Sequence, residues 1–323
     1  MKVLVIGGTQ FIGRHATQKL LERGHEVVHF NRGQSNKGAF PEVETILGDR
    51  NTDLAQLGTR RFDWILDMCG YTKQQVIASA SLTETADRYC YISTISVFGR
   101  PFPETVTEDT PLGTTEDEEA LEITAENYGP LKAVCEREVL SRWGDRAFLP
   151  RPGVVVGPND PTDRFTYWMR RFSEGGDVLV PRATGEPIPM VDVRDLTTVV
   201  VKGMEDNASG TAICVTPDCT LDDIVAECQK VIPNAGRPVY ADREWLIEQG
   251  IALWSDLPLW NATARPVFDS SRAISLGMPR TAMEDSVRDT YEWMITRPDD
   301  HEWQAGITDE RHQELLSLWA ARR

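Results

Sequence analysis

Lys2-Val3-Leu4-Val5-Ile6-Gly7-Gly8-Thr9-Gln10-Phe11-Ile12-Gly13 is the stretch whose reading decides the fold. Lys2 to Ile6 is a continuous apolar run of the kind buried on both faces of a parallel sheet, and Gly7-Gly8-Thr9 breaks it. Phe11 to Gly24 then carries helical spacing at Ile12, Ala16 and Leu20. A strand entering a helix through a glycine turn is the first half of a βαβ unit, and Glu26-Val27-Val28-His29-Phe30 supplies the returning strand. The same alternation predicts strands near residues 43–47, 62–67, 89–92 and 146–151, with helices near 53–57 and 74–86. Right-handed crossovers between such strands give a doubly wound, Rossmann-like parallel α/β sheet.

Beyond Arg151 the texture changes. Pro158, Pro161, Pro181, Pro187 and Pro189 punctuate residues 157–190, around a short helical stretch at 164–172. Helical patterns recur at Leu221–Val231, Met283–Ile295 and Asp309–Ala321. The expected organisation is a dinucleotide-binding domain over 1–157. A smaller mixed α/β cap over 158–323 follows, returning in part to the sheet and binding substrate. Phe165, Tyr167, Trp168, Trp254 and Trp260 are expected to shape its pocket, core packing being their ordinary alternative.

Of the 323 residues 41% are hydrophobic and 26% charged, a composition that suits a packed core and argues against disorder or coiled coil. Fifty acidic against 34 basic residues leave a net charge of −16, which disfavours phosphate backbones and anionic lipid surfaces. Neither nucleic acid nor membrane is an expected partner. No apolar run reaches the roughly 18 residues of a membrane span, and the N-terminus has no secretory core, so a cytoplasmic location is expected. Six cysteines lie scattered without paired spacing, and the five histidines lack metal spacing, so reduced thiols and no metal site are expected.

Four local patterns carry chemistry. Gly7 to Gly13 sits where backbone N–H groups and a helix N-terminus cradle a pyrophosphate, with Gln10 standing where a further glycine would sit. At the end of the second strand, Asn31-Arg32 replaces the acidic residue that would bond a ribose 2′-hydroxyl. Arginine there suits a 2′-phosphate, so NADP is expected in preference to NAD. Tyr128 and Lys132 stand four apart, on one helix face, where an ammonium favours the phenolate. Finally, Ser93-Thr94-Ile95-Ser96-Val97-Phe98-Gly99 places hydroxyls at the carboxyl end of a parallel strand, where α/β sheets hold ligands. Between Thr94 and Tyr128 lie nine carboxylates, Glu104 to Glu126, read as a solvated loop or as a flap that repels anionic substrates.

Taken together these residues resemble the extended short-chain dehydrogenase/reductase family, also called the NAD-dependent epimerase/dehydratase family. The resemblance extends over the glycine turn, Asp49-Arg50, Ser93 to Gly99, Tyr128 to Lys132, Arg151-Pro152-Gly153 with Gly157-Pro158, and Val193-Arg194-Asp195. It implies Tyr128 as acid/base, Lys132 as its partner and a nicotinamide-ribose ligand, and Thr94 as the catalytic hydroxyl. It implies cofactor contacts from Gly7, Thr9, Gln10, Phe11, Ile12, Gly13, Asn31, Arg32, Asp49, Arg50, Cys69, Gly70, Tyr128, Lys132 and Pro152, with Asp49 near adenine. Two departures narrow the function. Ile95-Ser96 stands where dehydratases carry Asp-Glu, and Val154 where nucleotide-sugar epimerases show Asn. The expected protein is an NAD(P)-dependent oxidoreductase moving hydride to or from a carbonyl or secondary alcohol of a small molecule, with a second copy of the chain as oligomeric partner. The alternatives are a sugar or nucleotide-sugar epimerase with bound NAD and, in another class, an NADP-sensing or RNA-binding protein.

Overall fold

β1 (Lys2–Ile6), β2 (Glu26–Asn31), β3 (Glu44–Leu47), β4 (Phe62–Asp67) and β5 (Ala86–Tyr91) are the first strands of one parallel sheet in the computed structural model. The structure describes residues 1–36, 38–182, 185–260 and 266–322. Strands Ala147–Pro152 and Gly210–Cys214 complete a seven-stranded sheet. Its spatial order is Gly210–Cys214, Ala147–Pro152, β5, β4, β1, β2, β3. β1 pairs β2 on one side and β4 on the other, so the strand order reverses there; in such sheets this crevice receives ligands. The doubly wound, Rossmann-like fold read from the strand and turn pattern is the fold observed.

The central strands are buried because both faces are covered, whereas the edge strand β3 stays largely exposed. Leu4, Ile6, Val28, Phe30, Ile65, Tyr89 and Tyr91 pack with Val76 of α2 (Lys73–Ala80) and with Cys135, Val139 and Trp143 of α3 (Tyr128–Trp143). Val3 and Val5 point the other way and are equally inaccessible. On the helical layer α1 (Phe11–Glu22) packs against the helix Val193–Glu205.

Registers align the strand ends. Ile6 stands beside Phe30 and Asp67, and Asp67 beside Tyr91, so the loops that follow β1, β2, β4 and β5 leave the sheet at one level. The expected helix at 53–57 is a 3₁₀ turn, Leu54–Leu57, and the helix at 74–86 ends at Ala80. Ser81, Thr83 and Thr85 are poor helix formers, and β5 already begins at Ala86.

The chain divides into two compact units. The first comprises Met1–Gly153, Val193–Val215 and Pro266–Pro279, and the second Val154–Asp192, Thr216–Arg265 and Arg280–Arg323. The first break falls after Gly153, and the stretches that return to the first unit are Val193–Val215, whose strand Gly210–Cys214 joins the sheet, and Pro266–Pro279. In the second unit, Asp177–Pro181 pairs Arg237–Ala241, and Val154–Val156 pairs Met190–Asp192. Its core includes Phe165, Tyr167, Trp168 and Trp260, none more than 2% exposed. Those four aromatics, expected to shape a pocket, are instead buried in their own unit, where large rings gain most from leaving water. Trp254 is half-buried.

Candidate active site

The glycine turn lies at the carboxyl end of β1, and Gly7 N donates to Phe30 O at 3.2 Å. Gly13 belongs to the first turn of α1, where a Cβ would stand 2.1 Å from Gly7 O, so helix and turn approach as only glycine allows. Gln10 caps α1 in extended conformation, exposed, and its side chain makes no capping bond. No acidic residue stands in the first turn either, leaving the helix's amino end available to an anion. Phe11 holds φ +37°, a strained value for a side-chain-bearing residue, and its ring meets His15 edge-on. Ile12 is half-buried beside it, and Thr9 O accepts from Asn36 Nδ2 at 2.8 Å, tying the loop after β2 to the turn.

That loop presents Asn31 and Arg32. Asn31 Oδ1 accepts from Gly33 N at 2.8 Å, while its buried Nδ2 has no partner among the described residues. Arg32 is exposed. Asp49, half-buried after β3, receives Asn51 N on Oδ1 at 2.8 Å. Arg50 behaves differently from a ligand-facing cation. Its guanidinium turns into the sheet, pairs with Asp67, and donates to Ser79 Oγ at 2.7 Å. Ser79 and Tyr89 hydroxyls also reach Asp67 Oδ2, at 2.8 and 2.6 Å. Burial opposes ionisation of Asp67, yet the Arg50 charge beside it holds the carboxyl below its ordinary range.

After β4, the Cys69 thiol lies 3.6 Å from Ile6 O and under the glycine turn, and burial raises its pKa against the opposing Arg50 charge. Gly70 O accepts both Tyr91 Oη at 2.8 Å and Lys132 Nζ at 3.0 Å. Lys132 also donates to Ile92 O at 2.7 Å. Its side chain is buried, and loss of hydration lowers the ammonium to about 8. Thr94, three residues past the end of β5, is 7% exposed and its Oγ1 accepts from Ser96 N at 3.1 Å. The neighbouring Ser93 Oγ is buried and, among the described residues, unpartnered.

Tyr128 begins α3 and is half-buried. The approach of α3 to the Thr94 loop is close, for a Cβ on Gly129 would lie 2.0 Å from Ser96 O. Tyr128 is near enough to Tyr71 and Tyr91 to raise both phenols further, after the larger effect of their burial. Pro152 is buried opposite Cys214 at the end of its strand. The acidic segment before α3 is partly neutralised, since Glu119 meets Lys73 at 2.5 Å and Glu118 meets Arg137 at 2.5 Å.

Within the first unit, then, the glycine turn, Asn31, Arg32, Cys69, Gly70, Thr94 and Pro152 lie at or just past the carboxyl ends of strands, and α3 brings Lys132 onto the Gly70 and Ile92 carbonyls, while Arg50 commits its side chain to Asp67. Sequence reasoning missed His29, whose Nε2 lies 2.9 Å from Thr17 Oγ1, itself a donor to Gly8 O. It also missed Tyr71 and the carbonyls of Gly70 and Ile92. A buried histidine in an apolar strand is the one signal that was available. Two orphaned buried polar atoms, Asn31 Nδ2 and Ser93 Oγ, together with the uncapped α1 terminus, fit a dinucleotide laid across these strand ends.

The profile of the NAD dependent epimerase/dehydratase family matches residues 3–76 and 64–215. The chloroplast stem-loop binding protein of 41 kDa b of Arabidopsis thaliana is 22% identical over 71% of this chain, which spans 62% of that protein's length. A UDP-glucose 4-epimerase of Neisseria meningitidis is 29% identical over 65% of this chain and 75% of its own. Among solved structures, a Thermotoga maritima UDP-glucose 4-epimerase with UDP-glucose superposes at TM-score 0.70 and 16% identity, covering 92% of this chain and 99% of that one. A Bacillus cereus UDP-glucuronic acid 4-epimerase in complex with NAD superposes at 0.67 and 18%, covering 94% and 100%. These two likenesses speak to the fold.

Proposed function

The chain belongs to the NAD dependent epimerase/dehydratase family, a family of enzymes, and from that premise we propose that it carries out nicotinamide-dependent redox chemistry at a carbonyl or secondary alcohol carbon. The observation that carries this reading is the buried Lys132 ammonium, held on Gly70 O and Ile92 O at the strand ends and one helical turn from Tyr128. A bound nicotinamide supplies or accepts the hydride. Tyr128 exchanges the proton with the substrate oxygen, and Thr94 Oγ hydrogen-bonds that oxygen and orients it. Lys132, as the nearby cation, favours the Tyr128 phenolate. The backbone N–H groups from Gly8 to Gly13 and the α1 dipole hold the pyrophosphate, and Asp49 stands at the adenosine end. Asn31 and Arg32, at the end of β2, would meet the ribose, where an exposed guanidinium complements a 2′-phosphate, which supports NADP as the preferred dinucleotide. A transient oxidation and return of the hydride to the other face would make the same residues a sugar epimerase, the activity named for the Neisseria relative. The stem-loop binding named for the chloroplast relative is disfavoured here by the net charge of −16.

The test is Tyr128→Phe, which keeps the ring and removes the transferable proton. Hydride transfer, followed by nicotinamide absorbance over a panel of small carbonyls and sugars, should fall by roughly 10²–10⁴ while dinucleotide affinity persists. Undiminished turnover would assign the proton to another group.

A further inference from the structure

Lys132 is held by more than its motif requires. Two of its three N–H groups are taken by Gly70 O and Ile92 O, and two aromatic faces stand against the ammonium. The ring centroid of Tyr91 is 4.0 Å from Nζ and that of Tyr71 5.5 Å. Tyr91 is buried and anchored through its hydroxyl on Gly70 O. Tyr71 is the outer face, 43% exposed, in the turn between β4 and α2. That turn is well fixed: Tyr71 N donates to Gln75 Oε1 at 2.9 Å, and Thr72 and Gln75 close a capping box at the start of α2.

Among the described residues, the acidic groups nearest the ammonium are each paired or protonated. Asp67 is paired with Arg50, Glu136 of the same helix is paired with Arg151, and the Cys135 thiol is raised by burial and so stays protonated. Dehydration therefore dominates, which is why Lys132 falls to about 8. Burial and the neighbouring Tyr128, in that order, push the Tyr71 phenol up to about 12. It keeps its proton while Tyr128 exchanges one.

We propose that Tyr71 is a positioning residue for Lys132: its ring shields the ammonium from solvent, holds it on the Gly70 and Ile92 carbonyls, and so keeps the cation in place beside Tyr128. The inference rests on the reading of Tyr128 and Lys132 given above. Tyr71→Phe retains the shielding face. Tyr71→Leu retains bulk without the aromatic face, and Tyr71→Ala admits water to the ammonium.

The chain has seven lysines, few enough for each side-chain nitrogen to be followed by ¹⁵N NMR in the whole, ligand-free protein, with Lys132→Arg assigning the signal. The Lys132 midpoint should be unchanged in Tyr71→Phe. In Tyr71→Ala it should move up by about one pH unit, toward the ordinary lysine value, with faster exchange of the ammonium protons. Tyr71→Leu should show faster exchange with a smaller shift, and it decides the question if the alanine variant does not fold. An unmoved midpoint and unmoved exchange in a folded alanine or leucine variant would overturn the proposal, as would an equal shift in Tyr71→Phe. A role confined to stability would lower the unfolding midpoint and leave the Lys132 signal in place. Because no ligand is present, a chain that shows the Tyr71 effect yet binds no dinucleotide counts against the redox reading and not against this one.

Discussion

Arg50→Met should destabilise the chain in a manner that depends on pH, and the sign follows from the buried cluster. Asp67 is 0% and Arg50 8% exposed, and the carboxylate is bonded by Arg50, Ser79 and Tyr89. Removing one partner of such a pair leaves an uncompensated charge and costs about 3–5 kcal/mol, a large part of the roughly 5–15 kcal/mol that holds a domain folded. In the native chain the folded Asp67 pKa lies below its unfolded value. Its contribution is therefore fully present above the unfolded pKa, near 4, and is lost only as pH falls through the depressed value. Without Arg50, burial is opposed only by the Ser79 and Tyr89 hydrogen bonds, and the folded pKa rises above the unfolded one. The penalty is then complete at pH 8 and shrinks toward pH 5, at up to about 1.4 kcal/mol per pH unit once the buried carboxyl is protonated. Urea unfolding at the two pH values measures this, with a midpoint loss of roughly 1–2 M at pH 8 for a slope near 3 kcal/mol/M. Asp67→Asn strands a guanidinium that does not titrate, so its deficit should be the same at both pH values. Arg50→Met with Asp67→Leu should recover most of the loss. A deficit for Arg50→Met below about 1 kcal/mol at pH 8, or one indifferent to pH, would refute the reasoning.

Arg32→Ala should weaken NADPH far more than NADH in fluorescence titrations, by roughly 10-fold or more for a lost charge-assisted bond, and equal losses would remove the basis for preferring NADP. Gly13→Ala places a methyl 2.1 Å from Gly7 O, so the turn must shift. Thermal unfolding should show a loss of about 1–3 kcal/mol, accompanied by weaker binding of either dinucleotide; unchanged affinity would place the pyrophosphate elsewhere.

Much of the site was legible in sequence order. A parallel strand covered on both faces must be continuously apolar, and Val3–Ile6 is. The turn that follows must let a helix approach the strand, and Gly13 allows it. Tyr128 and Lys132 share a helix face by spacing alone. Arg50 could not be read in this way. Standing after a strand end beside Asp49, it looks like a ligand contact, and only the parallel register that sets Asp67 beside Tyr91, with α2 delivering Ser79, reveals a buried partner. The aromatics of 165–168 likewise read as pocket walls until the packing of the second unit buried them.

The sequence by itself determined the order of strands and helices, the glycine turn, and the tyrosine and lysine one helical turn apart, because these depend on periodicity and backbone freedom within a few residues. Tertiary structure alone decided which later stretches, 193–215 and 266–279, return to the first unit, and that Arg50 turns inward. It also decided that the Lys132 ammonium rests on two carbonyls under Tyr71 and Tyr91. Each of those outcomes joins groups far apart in the chain, and the free energy that selects them comes from burying charge and apolar surface together, which no local pattern encodes.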